Sequence, residues 1–382
     1  MPVFSVGAQV MKLLVIASIS KTATANYFIT GFKRSGHELL VCSDIAGPQV
    51  DMVVSGLVDT EAVLRRHSFA ADAIVFFEGG SMRLLPDTSK VKSCPTAWYA
   101  IDTHMDFDKH VRIGRIFDMS FVAQKQYLPA LAEAGVRQAQ WLPLAFATEL
   151  SPVEPVDKDT DIAYVGSESA EMHPQRSALL DVLRAECPST RFGRASPAEM
   201  GRIYAGAKLV FNRSVKNDVN MRFFEAMGAG AVLLTDRIFG NGVEDLFDEG
   251  RHYFNYRDAD DLLRLVRELL GDPVRLQLMG EAARSRVMSA HTYQHRADEL
   301  VSKLQATAKR TCPTPSDVFA ACVSLGLTAD ALRVAGTAVT SVGGGRFQRS
   351  LGASAAMCLR VLAAFVAGAD HLRRAASRRR HA

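Results

Sequence analysis

Short apolar runs of strand length recur along this chain, separated by segments with helical spacing. Residues 13–17 (LLVIA), 73–77 (AIVFF) and 96–101 (TAWYAI) have almost nothing polar on either face. A strand with one face in water alternates polar and apolar residues, so a strand apolar on both faces needs cover on both. Such strands, with helices between them, predict a parallel sheet wrapped by helices. Strands are expected at 13–17, 38–42, 73–77, 96–101, 118–123 and 140–144, with helices over 26–34, ending near Gly36, and 60–68. Together they make one doubly wound α/β unit.

The pattern then restarts. Residues 150–160 (LSPVEPVDKDT), with two prolines and mixed charge, are the expected linker. Beyond it come strands at 162–165, 208–211 and 231–235, and helices at 174–186, 219–229, 258–270, 273–289 and 291–308. A chain of 382 residues has room for two domains and an appendage. The expected division is 1–150, 151–308 and a helical, basic extension at 309–382, with one or two helices in 315–340 and another over 353–369. Two α/β domains of this kind are expected to face a cleft, where the carboxyl ends of strands bind ligands.

Composition narrows the classes. With 48% hydrophobic and 23% charged residues, the chain is neither disordered nor a disulfide scaffold. Its six cysteines include no C-x-x-C pair and no cluster at zinc spacing, and read as thiols of a reducing compartment. The net charge of +4 does not indicate nucleic acid. Residues 309–382 hold eleven Lys/Arg against three acids, so the first 308 are slightly acidic. The closing arginines (Arg373, Arg374 and 378–380) read as a solvated terminus or as a surface for acidic membrane lipid. No apolar run reaches the roughly 18 residues of a spanning helix. A cytoplasmic protein, with the tail at the inner membrane face as a variant, is the expectation. Met11, directly before the first strand, is a second candidate start.

Residues 208–236 (KLVFNRSVKNDVNMRFFEAMGAGAVLLTD) carry the densest chemical signal. A strand ends at Asn212, and a polar loop follows with Asp218 as the expected helix N-cap. Phe223, Phe224 and Met227 share one face of the helix, and Arg222 and Glu225 lie on the other. A cation beside a helix N-terminus suits a diphosphate, and a carboxylate suits the paired hydroxyls of a ribose. Taken alone, the same pair also fits an exposed i,i+3 salt bridge.

This stretch resembles the second domain of GT-B glycosyltransferases, and especially the branch related to the spore maturation protein CgeB. The similarity lies in DIAYVGS (161–167), Arg176, YAGAKLVFN (204–212), NMRFFEAMGAGAVLLTD (220–236) and LLGDPVRLQLMGEAARSRVMSAHTYQHRADEL (269–300). In the first half GGSMRLLP (79–86) and CPTAWYAIDTHMDFDKH (94–110) resemble the same branch. The resemblance implies two Rossmann-like domains and transfer of a sugar from a nucleotide-sugar donor to a glycan or other hydroxyl acceptor, with no metal or other cofactor. By position, Glu225 matches the glutamate on the donor ribose, and Asn220 and Arg222 fall in an N-x-R-x-F-E pattern. Gly166 and Ser167 match a loop near the phosphates, and Arg176 and Asn212 complete the donor set. The wider group often has another glutamate eight residues earlier. Asn217 stands there, which leaves donor identity and stereochemistry open.

Asp102 and His104, directly after an apolar strand, are the candidate bases for an acceptor hydroxyl, or else a capping Asp and a loop His. Glu78, Gly79 and Gly80 follow another strand and read as an acceptor-side loop or a plain turn. The D-x-D triplets at 106–108, 157–159, 159–161 and 258–260 read as chance, not as a metal site. No G-x-G-x-x-G follows a strand, against a dinucleotide oxidoreductase. Two alternatives stand: an epimerase or phosphorylase of the same architecture, and a non-catalytic nucleotide- or sugar-binding surface-assembly protein.

Overall fold

A computed structural model describes residues 10–79, 83–308 and 312–342, with side chains to 335. Gly80, the residues before Val10, the helix expected over 353–369 and the terminal arginines lie outside the described residues. The chain forms two compact units. The first takes residues up to 122, 128–140 and 300 onward, and the second 123–127 and 141–299.

The strands of the first unit are β1 (Lys12–Ala17), β2 (Glu38–Ser43), β3 (Met52–Val53), β4 (Gly56–Asp59), β5 (Ala73–Phe77), β6 (Leu84–Asp87), β7 (Thr96–Ala100), β8 (Met119–Val122) and β9 (Ala139–Trp141). Seven of them form one sheet in the order β3-β2-β1-β5-β7-β8-β9, and β4 pairs with β6 separately. Val15 of β1 lies opposite Val41 on one side and Val75 on the other, both in parallel register. Strand order reverses between β1 and β5, so the crevice at their carboxyl ends is framed by Ser18 and Glu78. The helix Ala25–Arg34 buries Phe28, Ile29 and Phe32 at helical spacing, and Phe28 lies 4.8 Å from the Phe77 ring and 4.9 Å from that of Tyr99.

The C-terminal extension is, in its described part, two packed helices. Pro315–Ser324 opens with a capping box of Thr314 and Asp317. From Thr328–Val342, the Asp330 carboxylate accepts a hydrogen bond from the Leu57 amide of β4 at 2.9 Å. Residues 141–150, expected in the first domain, group with the second unit. The Phe146 amide donates to His291 O at 2.9 Å, Tyr293 N donates back to Phe146 O at 3.0 Å, and Arg296 Nε donates to Pro143 O at 2.9 Å. The strand expected over 140–144 is correspondingly reduced to β9.

The second unit holds β10 (Thr160–Val165), β11 (Thr190–Gly193), β12 (Ala207–Asn212), β13 (Val232–Asp236) and β14 (Tyr253–Tyr256), all parallel, in the order β11-β10-β12-β13-β14. Its core gathers Ile162, Leu209, Phe211, Val232 and Leu234 from the strands with Leu262, Leu265 and Leu269 from the covering helix Ala259–Leu270. On the other face the helix Pro273–Ala290 approaches the turn before β13 so closely that any Cβ at Gly280 would strike the Gly230 carbonyl. Here strand order reverses between β10 and β12, which makes their carboxyl ends the expected crevice.

Candidate functional site

At that crevice the two strand ends are tied together by one side chain. Arg222, on the helix Met221–Gly228, donates from Nη2 to Val165 O at the end of β10 (2.8 Å) and from Nη1 to Asn212 Oδ1 at the end of β12 (2.6 Å). Its Nε donates to Tyr204 Oη at 3.2 Å, and its guanidinium lies 4.6 Å from the Tyr164 ring centre. Arg222 therefore turns inward, not out to solvent, and spends three N–H groups on the protein. Asn220, not Asp218, caps the helix, its Oδ1 accepting from Arg222 N at 3.1 Å. Asp218 is instead buried in the preceding loop, where Gln124 donates to it at 3.0 Å and loss of solvent raises its pKa to about 6.

Asn212 is fully buried. Its Nδ2 donates to Thr235 Oγ1 at 2.9 Å, and its Oδ1 accepts from both Arg222 and Asn220. It was expected among the donor-binding residues; fully buried, its side chain holds Arg222 and Asn220 in place. Glu225, one turn after Arg222, is 9% exposed, and no hydrogen bond reaches its carboxylate among the described residues. Burial raises its pKa to about 7 against the opposing pull of Arg222.

Around this pair stand the remaining candidates. Gly166 directly follows β10, where a Cβ would sit 2.5 Å from Tyr164 Oη and 3.0 Å from Arg222 Nη2. Ser167 is half-buried, and its carbonyl accepts from Tyr164 Oη at 3.2 Å. Arg176, on the helix Pro174–Glu186, is 7% exposed and donates from Nη2 to Arg213 O at 3.2 Å. Its Nε is buried without a hydrogen-bond partner among the described residues. Burial and the charge of Arg222 lower its pKa, with Tyr164 opposing. Arg213 itself lies 3.4 Å from Asp236, whose two oxygens accept from the Ser214 amide and hydroxyl at 2.6 and 2.7 Å. Arg213 and Asp236 were missed in the sequence, although both directly follow or end a strand at the crevice. The arrangement is a pair of guanidinium groups, of Arg176 and Arg222, around the Tyr164 ring, with the buried Glu225 carboxylate near Arg222, a setting suited to a ligand carrying both anionic and hydroxyl groups.

Asn217 accounts for its own departure from the family pattern. It holds a left-handed backbone (φ +65°), donates from Nδ2 to Phe239 O at 2.5 Å and accepts from Phe239 N at 2.8 Å. A glutamate cannot donate to the carbonyl, and its longer side chain fits the left-handed region less well. Asn217→Glu is therefore expected to cost about 2–3 kcal/mol, read by thermal melts, without improving nucleotide affinity. A neutral melt with tighter binding would contradict this account.

In the first unit Glu78 is a clamp. Its Oε2 accepts from the Ile101 and Asp102 amides at 2.6 and 3.1 Å, and its Oε1 lies 3.0 Å from His110 Nε2. Burial raises its pKa, but His110 and the two amides outweigh that and hold it below the ordinary value. The clamp fixes the loop bearing Asp102, which is exposed, and His104, which is 8% exposed. Gly79 follows the clamp, where a Cβ would come 3.2 Å from Ser18 O. Two D-x-D triplets resolve into helix caps: Asp106 accepts from Lys109 N at 3.2 Å and Asp258 from Asp261 N at 2.9 Å. Among the described residues no cluster of three His, Cys, Asp or Glu could hold a metal, and no helix is long and apolar enough to cross a membrane.

Comparison with known proteins bears on the second unit first. Residues 154–302 match the family model described as glycosyl transferase-like. A search of curated protein sequences gives no match. Among solved structures, HepE of Anabaena in complex with UDP aligns with a TM-score of 0.60 at 14% identity, over 78% of this chain and all of that one. HepE has also been solved with UDP-glucose. Sucrose-phosphate synthase of Thermosynechococcus elongatus aligns at 0.55 and 13% identity with the same coverage. A Listeria monocytogenes protein described as a putative UDP-N-acetylglucosamine 2-epimerase aligns at 0.51 and 12%, over 80% of this chain and 99% of that one. The two parallel-sheet units thus have the fold of GT-B proteins, and residues 154–302 carry the sequence pattern of the glycosyl transferase-like family.

Proposed function

We propose that this protein is a glycosyltransferase that moves a sugar from a nucleotide-sugar donor to an acceptor hydroxyl, in the branch related to CgeB. The observation that carries the reading is Glu225: a buried carboxylate without a hydrogen bond among the described residues, near the half-buried Arg222, at the strand-order reversal of the second unit. Burial of an unbonded carboxylate costs stability, and a ligand offering hydroxyl donors offsets that cost. The ribose diol is such a ligand. Arg176 and the uncommitted N–H groups of Arg222 face the diphosphate, with Gly166 allowing backbone to approach it. These cations stabilise the charge that develops on the leaving phosphate, so the reaction runs without a metal. The UDP and UDP-glucose complexes of HepE support a uridine donor.

The acceptor is a glycan, a lipid-linked sugar or a protein surface, and Asp102 is the base the first unit offers to it. The cysteines of the described residues are all free, which supports a cytoplasmic setting, and the closing arginines are a contact for acidic lipid. The epimerase reading is supported by the fold similarity to the Listeria protein, and conversion of donor in the absence of any acceptor would favour it.

The test is a thermal-shift panel of UDP-, GDP-, dTDP- and CMP-sugars with and without EDTA. A true donor at 100 times its Kd adds about 2.7 kcal/mol of stability. UDP-sugars are expected to give the largest shift, unchanged by EDTA. A flat response from folded protein would overturn the proposal.

A further inference from the structure

The second unit carries a pocket on the edge of its sheet away from the candidate donor site. It has a volume of about 680 Å³, within the range of about 300–1,000 Å³ typical of small-molecule sites. It lies at the amino ends of β10, β12 and β13, between the Pro152–Lys158 segment and the helix Pro273–Ala290. The segment read from sequence as a linker is thus a wall of this cavity.

Two of the cations lining it have no acid partner. Lys158 Nζ donates to Ala207 O at 2.7 Å and Ala205 O at 3.3 Å, which leaves one N–H unused. Arg284 donates from Nη1 to Gly228 O at 2.6 Å. Neither is ion-paired among the described residues, whereas the third cation, Lys208, is bound to Asp161 at 2.7 Å. Partial desolvation of the Lys158 ammonium, then the charge of Arg284, brings its pKa down to about 8, so the two cations lie close enough to repel. The acids of the lining are Glu154 and Glu281, and Glu281 is engaged by Gln277 at 3.0 Å.

The second observation is apolar surface at the same place. Val153, in the lining, is 97% exposed, and Pro155, Val156 and Leu276 add apolar wall beside it. Apolar lining beside two cations without acid partners marks a site for a ligand that supplies both missing partners.

We infer that this pocket binds a small amphiphilic anion, its carboxylate or phosphate head on Lys158 and Arg284 and its apolar body along Val153, Pro155, Val156 and Leu276. The inference is independent of the donor reading, because none of these residues belongs to the crevice at the carboxyl ends.

The test is calorimetric titration of the full-length protein with decyl phosphate below its micelle concentration, with decanol and inorganic phosphate as the two half-ligands. One site is expected for decyl phosphate, with each half-ligand at least ten-fold weaker. Arg284→Met and Lys158→Met should each weaken it ten-fold or more. Val153→Asp, at a position with almost no packing to lose, should do the same with an unchanged melt and unchanged UDP affinity. Cosedimentation with phosphatidylglycerol vesicles, sensitive to the same substitutions, would identify a lipid headgroup as the source of the anion. Binding to the soluble probe without cosedimentation would identify a free metabolite. Equal affinity for decanol, or decyl phosphate binding that all three variants retain, overturns the inference.

Discussion

Glu225→Gln is expected to stabilise the unliganded protein at pH 8 while weakening its hold on a nucleotide-sugar. The residue is 9% exposed and its pKa is raised from 4.5 to about 7, chiefly by loss of solvent. A raised pKa means that the folded state favours the protonated form. Its contribution is complete below about 4.5, and stability is lost as pH rises toward 7, because the folded chain must then hold a buried anion. The displacement corresponds to at most about 3 kcal/mol above pH 7. Glutamine has the same shape and no charge, so it removes that cost. The variant should melt about 5–10 °C higher at pH 8, and the gap should close near pH 4.5. The same change removes a charged acceptor from the proposed ribose contact, worth about 1.5–3 kcal/mol, and donor affinity should fall roughly ten- to a hundred-fold. Melts at both pH values and a UDP-glucose titration check the pair of effects. A higher melting point with unchanged affinity would make Glu225 a structural residue and remove the main support for the donor reading.

That opposition of stability and binding explains why the site was only half legible in the sequence. Helical spacing placed Arg222 and Glu225 on one side of their helix, and the apolar runs fixed β1, β5, β7, β10, β12 and β13, because a strand buried on both faces needs a continuous apolar run. What spacing does not contain is the partner. Arg222 turns inward because Tyr204, Asn212 and Val165, which lie 10 to 57 residues away in sequence, converge on it. The Glu78–His110 clamp likewise joins positions 32 apart. The strands that escaped in the second unit, β11 (TRFG) and β14 (YFNY), are short and mix polar with apolar residues, so neither periodicity applied. Asp218 and Asn220 are both good N-cap types two residues apart, and only backbone geometry, with Asn220 extended at φ −77° and ψ 173°, decides between them.

Arg222→Met should be the most damaging single change in the second unit. It removes the donors to Val165 O and Tyr204 Oη and one of the two donors to Asn212 Oδ1, and so unties the ends of β10 and β12. It also strips Glu225 of the one positive charge that lowers its pKa, so the buried carboxylate becomes costlier still. Removing one member of a buried charged network costs about 3–5 kcal/mol. Lysine keeps the charge but cannot reach two strand ends and a tyrosine at once, and Arg222→Lys should fall between wild type and methionine. The informative variant is the double one. If part of the damage is the stranded Glu225, then Arg222→Met with Glu225→Gln should be less destabilised than the sum of its parts by about 1 kcal/mol or more, because the residues share one electrostatic environment. Urea melts of the four proteins at pH 8 give that coupling directly. Strict additivity would mean that Arg222 serves the strand ends alone and that Glu225 answers only to its solvent-poor surroundings.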